Sequence, residues 1–80
     1  AAFDQRRNYV DAAAWFRTYL REQPSGALAR NALGRLMEAL SRSGDRSGAR
    51  GVAAQYVERY PGGPHAEAAK QLLAPAVAQP

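Results

Sequence analysis

The sequence predicts an all-α protein, and three observations support this. Apolar residues recur at steps of three and four along most of the chain, which is the period of an amphipathic helix. Among its 80 residues the chain has 18 alanines, which favour helices, and no isoleucine, which favours strands. Proline and glycine lie mainly between the periodic segments, where they interrupt helices. We therefore expect one helical domain over residues 1–74 and a disordered tail over residues 75–80.

The first part of the chain predicts a short helical stub and two helices. Residues 1–6 have the pattern of the last turns of a helix, and residues 8–22 form a new apolar stripe. Pro24 ends this helix because it lacks an amide hydrogen and restricts the residue before it. Ser25 then offers a side-chain oxygen to cap a second helix, which we expect from residue 26 or 27 to residue 42.

The segment after the second helix predicts a tight turn and a third helix. Gly44 can end the second helix in the left-handed conformation, and Asp45 can cap a third helix over residues 46–60. Gly48 and Gly51 lie in the first turns of that helix. They indicate either a frayed helix end or a neighbouring helix that needs the space of the missing side chains.

Aromatic residues mark the boundary between the third helix and a fourth. Tyr56 and Tyr60 lie four positions apart and are expected to pack and hydrogen-bond there. Pro64 suits the first turn of a fourth helix over residues 64–74. The chain has no cysteine and no second histidine that could share a metal ion with His65, so we expect a surface histidine and no metal site.

The chain repeats itself at an offset of 37 residues. Pro24 and Pro61 are 37 positions apart, and the same offset relates residues of similar size at nearly every apolar position. These pairs are Ala12 and Ala49, Tyr19 and Tyr56, Ala29 and Ala66, Ala32 and Ala69, and Leu36 and Leu73. Phe16 and Ala53 are also related by this offset but differ in size. A repeat of this length predicts stacked helix pairs, each of which buries its apolar stripe against its neighbours.

This pattern resembles the tetratricopeptide repeat. The resemblance rests on Ala12, Phe16, Tyr19 and Pro24, on Ala49, Ala53, Tyr56 and Pro61, and on the Gly44-Asp45 turn. The spacing and the run over residues 60–66 are similar to the variant in bacterial envelope proteins, including repeat proteins of the Tol-Pal system, outer-membrane assembly lipoproteins and envelope-stress regulators. One departure is that Met37 replaces the glycine usual in the first helix of a repeat, which predicts looser packing there.

The resemblance implies a right-handed stack of antiparallel helix hairpins that binds a protein or peptide on its concave face, and it favours the periplasm. The second helix would line that face. Its polar residues at i, i+4, i+7 and i+11 are Asn31, Arg35, Glu38 and Arg42. One hypothesis is a groove in which the two arginines hold a carboxylate of a peptide or an acidic segment. The alternative is a solvated face with an internal Arg35–Glu38 or Glu38–Arg42 ion pair.

Trp15 lies at the edge of the first apolar stripe and suggests a second contact surface. An exposed tryptophan is a candidate hot spot for binding. The alternative is that Trp15 packs over an adjoining helix, either the second helix or a helix upstream of this chain. An alternative function is that of a self-assembling structural fragment of a larger repeat protein. Its expected interface is the truncated repeat ends and the region of Phe3, Tyr9 and Trp15.

Other function classes have less support. Arg42, Arg46 and Arg50 cluster around the second turn, and the net charge is +4, but no aromatic residue lies among them, so a nucleic-acid partner is disfavoured. The single histidine and serines confined to turns offer no nucleophile with a base in reach, which argues against an enzyme and against a cofactor. No apolar run is long enough for a membrane span.

Overall fold

The structure is a computed structural model, and it describes residues 4–74. Within that range the chain forms four helices and no strand, which confirms the all-α prediction. The helices are α1 (Asp4–Glu22), α2 (Ala29–Ser43), α3 (Arg46–Arg59) and α4 (Ala66–Leu73). The predicted tail over residues 75–80 lies outside the described residues.

Three predicted helix boundaries are wrong. The stub and the first helix are one helix, because no proline or glycine interrupts the chain between Asp4 and Glu22. Ser25 caps nothing: α2 begins at Ala29, and no side chain caps its first turn. The segments just before α2 and α4 form turns that are closed by backbone hydrogen bonds. For this reason α4 begins at Ala66, after Pro64 and not at it.

The turn between α2 and α3 is as predicted. Gly44 has a φ of 94°, in the left-handed region, and the following Asp45 amide donates to the Leu40 carbonyl at 2.9 Å. The Asp45 carboxylate accepts a hydrogen bond of 2.9 Å from the amide of Gly48. These bonds satisfy groups that the ends of the two helices would otherwise leave without a partner.

The 37-residue repeat is present in the backbone hydrogen bonds of the two other turns. After α1 and after α3 the chain makes the same three bonds from amide to carbonyl. They are Gln23 to Tyr19 (2.8 Å), Gly26 to Gln23 (3.1 Å) and Ala29 to Gly26 (3.0 Å) in the first turn, and Tyr60 to Tyr56 (2.7 Å), Gly63 to Tyr60 (2.9 Å) and Ala66 to Gly63 (3.1 Å) in the second. Two segments with largely different side chains therefore adopt one backbone geometry.

Helix α2 lies at the centre of the described structure, packed against α1 on one side and α3 on the other, and α3 packs against α4. The buried core is rich in alanine, whose short side chain lets helices approach closely. Its members are Ala13, Leu33, Leu36, Met37, Ala39, Leu40, Ala49, Val52, Ala53, Tyr56, Ala66 and Ala69.

A close approach between α2 and the start of α4 occurs at Gly34, while Met37 is well packed. Met37 is only 2% exposed, so the looser packing predicted there is wrong. A Cβ on Gly34 would overlap the ring of His65, because that ring lies directly over the glycine. His65 is accordingly half-buried, and its prediction as a surface residue is also wrong.

Tyr56 confirms the aromatic boundary that the sequence predicts. It is fully buried, its ring lies 5.5 Å from that of Tyr60, and the His65 ring meets it edge-on at 5.7 Å. The Tyr56 hydroxyl accepts a 3.0 Å hydrogen bond from the backbone amide of His65. The start of α4 is thereby fixed to the end of α3 and, through the His65 ring, to the middle of α2.

Candidate functional site

The four polar residues predicted on α2 are all exposed, and they lie along one helix. From the first, Asn31, to the last, Arg42, the rise is about 16 Å at 1.5 Å per residue. A single small ligand group cannot contact both ends, so the two ends are described separately.

The C-terminal end of the stripe contains an ion pair, as the alternative interpretation predicted. The Arg42 guanidinium lies 3.3 Å from the Glu38 carboxylate. Arg42 also donates a long hydrogen bond of 3.4 Å to the Tyr9 hydroxyl of α1, and its guanidinium carbon lies 5.7 Å from the centre of the Tyr9 ring. The hydrogen bond to Tyr9, followed by the charges of Tyr9 and Glu38, raises the pKa of Arg42. Arg42 is thus already engaged and is not a free fork for a carboxylate.

A groove of about 450 Å³ runs between α2 and α4 beside this ion pair. The apolar and aromatic part of its lining is Met37, His65, Ala68 and Leu72. The polar part is Glu38, Ser41, Arg42, Arg46 and Gln71. Helices α2 and α4 are counterparts at the 37-residue offset, so the groove is formed by the first helix of each of two successive units.

The groove retains two of the four predicted residues and adds others. Glu38 and Arg42 line it, whereas Asn31 and Arg35 do not. Arg46, from the start of α3, supplies the second guanidinium in place of Arg35. Sequence periodicity along α2 alone could not identify Arg46, because that residue enters the groove from another helix across the Gly44 turn.

Asn31 belongs to a different surface, at the N-terminal end of α2. There it lines a small cleft of about 200 Å³ together with Trp15, Phe16, Tyr19, Leu28 and Ala32. Trp15 is 64% exposed and Leu28 is 60% exposed. The Trp15 ring stacks on that of Tyr19, with centres 6.1 Å apart and an angle of 11° between the planes. Trp15 is therefore exposed among the described residues and does not pack over α2.

A third groove, which the sequence analysis did not identify, separates α1 from α3 on the other side of α2. It has a volume of about 510 Å³ and is lined by three arginines, Arg17, Arg21 and Arg59, and by a floor that includes Leu33, Leu36 and Val52. Gly51 lines it too, and a Cβ added there would meet nothing within 4 Å. No neighbouring helix in the described structure needs the space at Gly51. Because Gly51 has no side chain, the groove is wider at this point. A glycine at this position of α3 was the sequence feature that could have indicated the groove.

Other kinds of site find no support in residues 4–74. No three histidine, aspartate or glutamate side chains there lie close enough together to hold a metal ion. None of the four helices combines the length and the apolar character needed to cross a membrane. Phe3, named above as part of a possible self-association surface, lies outside the described residues.

Comparison with known proteins yields no match among protein-family models, curated proteins or solved structures.

Proposed function

We propose that this chain is a non-catalytic protein-interaction module of tetratricopeptide-like architecture, and that it binds a peptide or protein segment in the groove between α2 and α4. The observation that carries the proposal is the composition of that groove. Its accessible apolar residues, Ala68 and Leu72, lie beside groups that can hydrogen-bond, and binding sites for peptides combine these two kinds of surface.

The charges around the groove favour a particular kind of segment. The Arg42 charge is balanced by Glu38 at 3.3 Å, while no ion pair among the described residues involves Arg46. A carboxylate on the bound segment, either a side chain or a C terminus, would therefore be held by Arg46, with the Gln71 amide as a neutral donor nearby. Arg42, which is held by its hydrogen bond to Tyr9, would act as a fixed part of the groove wall and would add little net charge.

The test selects random dodecapeptides against the intact chain and measures their affinities for two matched variants. Ala68→Arg places a long side chain into the groove, and Ala54→Arg places the same side chain on an exposed part of α3 that does not line it. We expect Ala68→Arg to weaken the selected peptides at least tenfold and Ala54→Arg to leave them unchanged. Equal affinities for both variants would exclude the groove.

Two other functions keep less support. Of the three arginines of the basic patch, Arg42 is paired with Glu38, which lowers the charge available for a polyanion. Self-association is favoured by one specific observation, the exposure of Trp15 and Leu28, and sedimentation of the chain at increasing concentration tests it.

A further inference from the structure

The groove between α1 and α3 carries positive charge that the proposed function does not use. Its charged lining residues are all arginines, Arg17 and Arg21 from α1 and Arg59 from α3. All three are exposed, and no ion pair among the described residues involves them. Their charges are therefore available to a bound group of opposite charge.

The three arginines come from both walls of the groove. Arg17 and Arg21 are four positions apart on α1, so they lie on one side of that helix with a rise of about 6 Å between them. Arg21 and Arg59 lie in the last turns of their helices, where a cation suits the helix dipole. The dipole does not require the two helices to bring these cations to one groove, and like charges one turn apart destabilise a helix. A bound anion would offset that repulsion.

The floor between the arginines is apolar. Its accessible residues are the half-buried Leu20 and the exposed Pro24, and beneath them lie the buried Leu33, Leu36 and Val52. No aromatic residue lines the groove, so a nucleic-acid base would find no ring to stack on. Cations on the walls and aliphatic carbon on the floor suit a peptide that carries carboxylates and small apolar side chains.

We propose that the groove between α1 and α3 binds an acidic peptide segment of a partner protein. In an extended segment, side chains two positions apart point the same way and lie about 7 Å apart, close to the rise between Arg17 and Arg21. Two such carboxylates can each accept hydrogen bonds from one guanidinium of α1, and Arg59 reaches the same segment from the opposite wall.

The 80 residues themselves do not contain such a segment. The acidic side chains are spread singly along the sequence, and no two of them lie within six positions of each other. No acidic side chain follows Glu67. A second copy of this chain and its residues 68–80 are therefore poor occupants, and the charge complementarity points to a partner of different composition.

The site does not depend on what precedes α1. Helix α2 packs against both α1 and α3, so it lies on the side of α3 that faces α1. At the 37-residue offset, a helix before α1 would pack on α1 as α2 packs on α3, which is the side away from α3. The groove between α1 and α3 would stay open in a longer stack.

The probe for the test is a fluorescein-labelled dodecapeptide in which glutamate and alanine alternate. Its control has glutamine in place of every glutamate. Fluorescence anisotropy measures the binding of both peptides to the intact chain. We expect saturable binding of the glutamate peptide and at least tenfold weaker binding of the glutamine peptide, because the guanidinium groups then have no carboxylate to hold.

Charge-reversal variants test both walls of the groove. Arg21→Glu changes the α1 wall and Arg59→Glu the α3 wall, while Arg50→Glu makes the same change at an exposed arginine of α3 that does not line the groove. We expect at least tenfold weaker binding for each of the first two and a change below about threefold for Arg50→Glu. Circular dichroism melts show whether the three variants remain folded.

A matched pair of uncharged variants separates the groove from diffuse attraction. Gly51→Leu fills the groove without altering the charge, since a Cβ at Gly51 meets nothing within 4 Å. Ala54→Leu places the same side chain on an exposed part of α3 outside the groove. We expect Gly51→Leu to weaken the peptide at least tenfold and Ala54→Leu to leave it unchanged. Ala68→Arg should not weaken it, so the result is independent of the groove between α2 and α4.

Four outcomes would overturn the proposal. The first is the absence of saturable binding up to about 1 mM peptide. The second is an equal loss in Arg50→Glu and Arg21→Glu, or no loss in Gly51→Leu, because the attraction would then be diffuse. The third is no loss in Arg59→Glu, because α1 alone would hold the peptide. The fourth is tighter binding of a twelve-nucleotide single-stranded thymidine oligomer with the same losses, which would assign the groove to nucleic acid.

Discussion

The turn after α1 and the turn after α3 have the same backbone and opposite surroundings. Both make the same amide-to-carbonyl bonds at an offset of 37 residues. Tyr56 in the second unit is fully buried, while its counterpart Tyr19 is half-exposed beside an exposed Trp15. The difference teaches that local sequence sets the geometry of each turn, whereas burial is decided by whether another helix lies against it.

The largest difference in stability between the two units is expected when Tyr56 or its counterpart Tyr19 is replaced. Tyr56→Ala should lower the free energy of unfolding by about 3–5 kcal/mol, because it empties a fully buried site and removes the acceptor of the His65 amide. Tyr19→Ala should cost less than about 2 kcal/mol, because water already reaches that ring. Urea unfolding followed by circular dichroism measures both, and equal losses would show that the two units do not differ in burial.

The next effect concerns the contact between Gly34 and His65, which only the second unit contains. Gly34→Ala should destabilise the protein by about 1–3 kcal/mol, because the new methyl group overlaps the imidazole. In a His65→Ala background the same change should stabilise by up to ~1 kcal/mol, since alanine favours a helix more than glycine does. Thermal melts of the four proteins form a double-mutant cycle. A stabilising Gly34→Ala in both backgrounds would contradict the contact.

The smallest effect on stability is expected when alanine and glycine are exchanged at two exposed positions that correspond in the two units. Gly51 on α3 corresponds to Ala14 on α1, and both are exposed. Gly51→Ala should stabilise the protein by up to ~1 kcal/mol, because its Cβ would meet no neighbour, and Ala14→Gly should destabilise it by a similar amount. Denaturant midpoints of both variants check this, and a destabilising Gly51→Ala would mean that a neighbour occupies the groove between α1 and α3.

Features set by neighbours in the chain were predictable from the sequence. The four helices, the left-handed Gly44, the Asp45 cap and the 37-residue repeat each depend on residues a few positions apart or on a regular spacing. The predicted starts of the second and fourth helices are too early because the prediction uses Ser25 as a cap and places Pro64 in a first helical turn. In the structure the amides of Gly26, Ala29, Gly63 and Ala66 instead bond to carbonyls three residues earlier and form turns.

Features set by side chains from distant parts of the chain were not predictable in the same way. Arg42 reaches back 33 residues to Tyr9, a contact that the periodicity of α2 does not reveal. His65 is half-buried because a glycine 31 positions earlier lies beneath it. The sequence did hold one overlooked signal, since Gly34 interrupts an otherwise good helix-forming run at a cost of ~1 kcal/mol, and such a glycine usually has a packing reason.

The order of helix contacts also determines how this chain folds. Each helix packs chiefly against the helices next to it in the chain, so most contacts join residues close in sequence. Loops that must close are short, which favours rapid folding. Amide hydrogens should accordingly exchange slowest in α2 and α3, which each pack against two helices, and fastest in α4, the shortest helix.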